Sequence, residues 1–157
     1  ICERTGRDPS DGLYETFMRY TEGMVPIIND VKGRHAAVYC YSHSDIEWQI
    51  MTLQDMGVVI DVIVFARGNY VDHNENIPSF EGIETIRDGS FCIFKDKVKE
   101  IHPDIVITNQ HSRAMELGVP WCSLGGRGCG IDGALDWARR VRDCMLLPGG
   151  EMWEAGL

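Results

Sequence analysis

A chain of 157 residues suits one domain and is long enough to bury a core of its own. The formal net charge of −9 argues against a nucleic-acid partner, whose binding rests on neutralising phosphates with Lys and Arg, and reads as a solvated acidic surface. An apolar share of 44% beside 25% charged residues excludes disorder over the whole length.

Asp8-Pro9-Ser10-Asp11 is a helix start, with Asp8 as a cap and Pro9 in the first turn, where its missing N–H costs nothing. Leu13, Phe17, Tyr20 and Met24 follow at helical spacing. Gly23 and Pro26 predict a kink or an end there, with a second short helix reaching Val31. The stripe has no obvious partner in the first third of the chain: it packs across the domain, or on a part outside it. From His35 to Tyr41 runs a first strand. Ser44 and Glu47 form a capping box for a helix whose buried face is Ile46, Ile50 and Leu53, and Gly57 ends it. Val58 to Phe65 is a second strand, apolar on both faces, as in the middle of a helix-covered parallel sheet.

Ala66 to Phe80 reads as a polar loop, and Ile83 to Arg87 as a third strand. Phe91, Phe94, Val98 and Ile101 mark a helix closed by His102-Pro103. A fourth strand covers Asp104 to Thr108, a short helix Ser112 to Leu117, and a fifth strand Val119 to Ser123. The turn Gly125-Gly-Arg-Gly-Cys-Gly130 leads into a last helix with Ile131, Leu135, Ala138 and Met145 on one face. Trp121 and Trp137 read as core or interdomain packing. Strand and helix alternate throughout, which predicts an α/β class: a three-layer, Rossmann-like domain with a parallel sheet of four to five strands in the order 3-2-1-4-5. One domain spans 1–157, with a helical segment at 1–31, the α/β core at 32–147 and a tail at 148–157.

Six cysteines, at 2, 40, 92, 122, 129 and 144, show no CxxC and no framework spacing. Cys40 and Cys92 lie in or beside apolar stretches and read as small hydrophobes. No signal peptide is visible, and the longest apolar run is interrupted by Asp61 and far short of the ~20 residues a spanning helix needs. These features predict a cytoplasmic protein with reduced thiols and no membrane partner. The chain begins at Ile1 without methionine, so an upstream part is expected to have been removed.

In such sheets ligands bind at the carboxyl ends of the strands, where strand order reverses. Three loops meet there: 41–45, 109–112 and 122–130. They offer Ser42, His43, Asn109, His111 and the run Gly125, Gly126, Arg127, Gly128 for contact with a cofactor, and Cys129 and Cys122 as metal-ligand candidates. The glycine run suits either a backbone cradle for an anion or a plain tight turn. It is no P-loop, since no Lys-Ser/Thr follows. The two cysteines suit a buried and an incidental thiol as well as a metal site, and His43 suits a surface or capping role.

Four ordered segments carry a family likeness. They are Lys32-Gly-Arg-His-Ala-Ala-Val-Tyr39, Thr52-Leu-Gln-Asp-Met-Gly-Val-Val59, Val98 to Thr108 with its Pro103-Asp104, and Leu117-Gly-Val-Pro120 followed by Gly130-Ile-Asp-Gly133. From about Asp8 to Met145 the chain resembles the third Rossmann-like domain of nitrogenase component 1-type proteins, alpha subunits and cofactor-assembly homologues above all. The resemblance implies that the three loops face a metallocofactor or substrate cavity between domains. It implies an iron–sulfur cluster or related metallocofactor in the intact protein and none in this fragment. It also implies as partners the remaining domains of the same chain, a component 1-type subunit or second copy, and an ATP-dependent iron protein reductase. Where alpha subunits carry a cofactor-ligating histidine, the stretch from Pro120 to Gly133 is shorter and has none. Asp45 stands at a basic position of the family, and His111 where nitrogenase has a lysine. A nitrogenase-like oxidoreductase with a different cofactor or substrate is therefore expected, the isolated chain being inactive. The alternatives are a cofactor-assembly scaffold binding an iron–sulfur cluster and a small-molecule-binding Rossmann module.

Overall fold

A computed structural model describes residues 9–41, 46–66, 80–125 and 130–147. Helix α1 (Pro9–Val31) leads into β1 (His35–Tyr41), α2 (Glu47–Asp55), β2 (Val59–Ala66) and β3 (Glu84–Gly89). Then come α3 (Phe91–Ile101), β4 (Ile105–Thr108), α4 (His111–Ala114) with a 3-10 turn to Leu117, β5 (Trp121–Cys122) and α5 (Gly130–Leu146). The five strands form one parallel sheet in the order β3-β2-β1-β4-β5, as the strand–helix alternation predicts. Most of the polar loop and Ser44 lie outside the described residues, but α2 does not start on the expected capping box: it begins at Glu47 with Ile46, whose apolar side chain caps nothing, at the N-cap.

Alternation along the central strands sorts the core into two layers. Ala36, Val38 and Cys40 of β1 join Ile63 and Phe65 of β2 under α1, α2 and α5. Ala37 and Tyr39 join Val62 and Val64 under α3, where Phe91 and Phe94 pack on the Tyr39 ring. Asp61 breaks the apolar run of β2 without breaking the strand. The register against β1 skips it, passing from Ala36–Ile60 to Ala37–Val62. The extra residue lets Ile60 and Ile63 face the same layer. Its carboxylate accepts the His35 ring at 2.9 Å. Beside it, Asp104 accepts the His35 backbone N–H at 2.7 Å and pairs with Arg34 at 3.3 Å. Polar residues thus tie the amino ends of β1, β2 and β4, and leave the opposite edge for other work.

Helix ends follow the local chemistry. Gly57 stops α2 in the left-handed region (φ +73°), and Val58 N–H returns to the Leu53 carbonyl. α3 begins at Ser90, whose hydroxyl accepts the Ile93 N–H, and ends on His102 at φ +53°. A side chain with a Cβ is strained there. Replacing His102 with Gly should raise unfolding stability by about 0.5–1 kcal/mol, read as a shift of the urea midpoint at unchanged slope.

The first helix departs from expectation: α1 is continuous from Pro9 to Val31, with Pro26 inside it. Glu22 and Pro26 are both exposed, so the carbonyl that loses its N–H partner can be hydrated instead. Gly23 marks the point of closest approach to α5. A Cβ there would stand 2.6 Å from Leu135 Cδ2. Tertiary packing on α5 keeps the helix continuous where the sequence alone suggests a second, separate one.

Candidate functional site

Strand order reverses between β1 and β4, and the described residues place Tyr41, Thr108, Asn109, Gln110 and His111 at the carboxyl ends of those two strands. The buried Thr108 hydroxyl accepts the Gln110 backbone N–H at 3.1 Å, which turns the chain sharply off β4. The Gln110 side-chain amide then donates to the Tyr41 hydroxyl and ties the two strand ends together. His111 opens α4 with its ring exposed and stacked on Trp121, centroids 4.9 Å apart and planes 28° from parallel. Asn109 is exposed beside it. Gly125 follows β5 in the left-handed region. Ser42, His43, Gly126, Arg127, Gly128 and Cys129 lie outside the described residues.

The arrangement offers polar hydrogen-bonding groups: two amides, an imidazole and a phenol. Such groups can hold the periphery of a polar or metal-containing cofactor. Ligating a cluster outright needs several anionic or imidazole donors around one point. Among the described residues no group of three or more His, Cys, Asp or Glu side chains comes together that way.

The cysteines have different surroundings. Cys40 is buried, and desolvation pushes its thiol up to about 12, as befits a small hydrophobe. Cys92 does not fit that reading, being exposed on α3. Cys122 is buried on β5, with its thiol 3.7 Å from the Ser123 carbonyl. The neighbouring Cys144 thiol of α5, followed by burial, pushes the Cys122 thiol well up. These surroundings suit a protonated, buried thiol better than a thiolate ligand. Nothing in the spacing of 122 and 144 marks them as neighbours.

A second feature flanks the carboxyl edge. α1 and α5 run parallel: Arg19 pairs with Asp132 at 3.0 Å, Gly23 meets Leu135, and Asp30 approaches Arg142 at 3.9 Å. α5 starts at the carboxyl edge because it follows β5. By this pairing α5 starts opposite Phe17, so residues 9–16 of α1 run about 12 Å further at 1.5 Å per residue. The overhang and its root carry Leu13 (68% exposed), Tyr14 (65%) and Phe17 (58%). Below it lies a groove of about 590 Å³ lined by Phe17 and Tyr20 of α1, Trp48, Met51 and Asp55 of α2, and Ile131 of α5. Tyr20 donates to Asp55 at 2.7 Å, and burial, reinforced by that carboxylate, pushes its hydroxyl well above the usual range.

No family model matches the sequence, and no curated protein matches it. Solved structures do match. A chain of the structure titled "Nitrogenase Cp1 at pH 5" superposes with a TM-score of 0.72 and 14% identity, covering 91% of this chain and 36% of that one. A chain of "Nitrogenase Cp1 at pH 6.5" gives 0.70 and 12%, covering 91% and 39%. The likeness is one of fold, and this chain spans little more than a third of the length of those it matches.

Proposed function

We propose that this chain is one Rossmann-like domain of a longer nitrogenase component 1-type oxidoreductase, forming one wall of a metallocofactor or substrate cavity. The overhang carries this reading. A helix that extends past the carboxyl edge with Leu13, Tyr14 and Phe17 in solvent has the form of a flange against which another unit closes over that edge. The fold neighbours support it, since each runs more than twice the length of this chain.

In this reading Asn109 and His111 face the cavity with Ser42, His43, Gly125, Gly126, Arg127 and Gly128, and Cys129 rather than the buried Cys122 is the candidate metal ligand. The implied group, an iron–sulfur cluster or related metallocofactor, supplies one-electron chemistry when bound. The protein's part is to orient and exclude. Gln110 fixes the Tyr41 phenol at one strand end, and Trp121 holds the His111 ring flat, so both polar tips have defined positions. The other domains of the same chain, a second component 1-type subunit and an ATP-dependent iron protein would supply the remaining ligands and the electrons. The lack of a histidine from Pro120 to Gly133 also favours a scaffold that holds a cluster without turnover. A free nucleotide-binding module fits least, because β1 ends on the bulky Tyr41 rather than on glycines that admit a pyrophosphate. Among the described residues no helix is long and apolar enough to cross a membrane.

The test is anaerobic purification of the longer protein followed by iron and acid-labile sulfide analysis. Both should be present in stoichiometric amounts, and their absence would sink the reading. His111→Ala should keep the fold, since the ring is exposed, while weakening cofactor retention about tenfold or more. Equal metal content in the variant would remove His111 from the wall. Metal without turnover by a competent reductase would select the scaffold.

A further inference from the structure

The groove under the overhang joins two kinds of surface. Most of its lining is apolar: Phe17, Trp48, Met51, Ile131 and Ala134 supply rings and methyl groups, and Met51 is 63% exposed. At one end stands a single carboxylate, Asp55, the last residue of α2. From Trp48 to Asp55 the helix rises about 10 Å, which sets the length from aromatic to anionic end. That end of a helix is already the negative pole of its dipole, so a cation suits it and a carboxylate does not. Yet the last turn of α2 holds no basic residue, and no Lys or Arg is among the described residues lining the groove. Arg19 of α1 is turned to Asp132 of α5 instead. The Tyr20 hydroxyl is the one hydrogen-bond partner of Asp55 among the described residues, and it neutralises no charge. Burial, reinforced by that carboxylate, keeps Tyr20 protonated, so it remains a donor with its ring in the groove wall.

We infer that this groove binds a small organic ammonium ion with an apolar body, its charge on Asp55 and its body along Phe17, Trp48 and Ile131. Two effects select that class. The carboxylate and the α2 dipole favour positive charge, and the rings of Phe17, Tyr20 and Trp48 attract a weakly hydrated cation. An anion is repelled, and a neutral molecule of the same shape gains only the apolar contact. Size agrees, since about 590 Å³ falls within the ~300–1,000 Å³ of small-molecule sites. The wall is also set in advance: Trp48 rests edge-on against the buried Trp137, centroids 5.5 Å apart. Helices α1, α2 and α5 build the site, and neither Asn109 nor His111 lines it, so it stands or falls apart from the cavity reading.

Titrating the chain with phenethylammonium chloride, and in parallel with the neutral 2-phenylethanol, tests it through the methyl NMR signals of Met51, Ile131 and Ala134. The ammonium ion should shift these signals saturably and bind about tenfold more tightly than the alcohol, or better. Asp55→Asn keeps an acceptor for Tyr20 and removes the charge. It should weaken the ammonium ion alone and bring the two ligands within about twofold of each other. Phe17→Ala, at an exposed position, should weaken both ligands alike. Equal binding of the two by the wild-type chain, or no saturable shift of these signals, overturns the proposal. So does a cation preference that survives Asp55→Asn, or full affinity for both ligands after Phe17→Ala. The wild-type comparison decides even where a variant folds poorly.

Discussion

Replacing Trp137 with Ala should cost about 3–5 kcal/mol of unfolding stability, a large fraction of the ~5–15 kcal/mol a domain has. The side chain is wholly buried between the sheet and the helices that cover it. Its ring meets Trp48 edge-on, centroids 5.5 Å apart. Its Nε1–H donates to the Ser123 carbonyl at 2.9 Å, which fastens α5 to the chain leaving β5. Two effects add: a cavity that the neighbouring helices cannot fill, and a carbonyl left without its donor. Trp137→Phe separates them. It keeps most of the apolar volume and should cost about 1–3 kcal/mol. Guanidinium unfolding of both variants checks the order. A loss under 1 kcal/mol for Trp137→Ala would mean that this layer is not packed as described.

Much of the fold was legible because local signals agreed with one another. Glycine after an apolar stripe ended α2, and a two-sided apolar strand proved to be interior. Asp61 looked like a defect in that strand. It is the register skip that re-aligns Ile63 and Phe65 with Ile60, a role that needs the partner strand to be seen. Cys92 misled for the opposite reason: it adjoins Phe91 in sequence but stands about 100° away from it around α3. The carboxyl edge could be located from strand order alone. The contact between Gln110 and Tyr41 depends on side-chain direction across two strands, and the burial of Cys122 under α5 depends on strand–helix packing. Neither leaves a trace in spacing.

The apolar stripe of α1 was visible from the start, and what it does depends on lengths. Twenty-three helical residues span about 34 Å, whereas the seven of β1 span about 23 Å. A helix packed along such a strand must project past one end of it. Since Val31 precedes β1 by a tight turn, the projection falls on the carboxyl edge. One stripe therefore has two fates, with Met24 and Ile27 in the core and Leu13 and Phe17 in solvent. The double substitution Leu13→Gln and Phe17→Gln should separate them. In the isolated chain each change should move stability by no more than about 0.5 kcal/mol, because neither side chain is buried. In the longer protein the same pair should weaken closure over the edge by about 2–4 kcal/mol, roughly 30- to 1000-fold, from the apolar area returned to water. Amide exchange over residues 9–18 should quicken there, and iron retention should fall with it. If the double variant unfolds the isolated chain as Trp137→Ala does, α1 belongs wholly to the core. If the longer protein is indifferent to it, nothing closes on the flange and the cavity wall must be sought elsewhere.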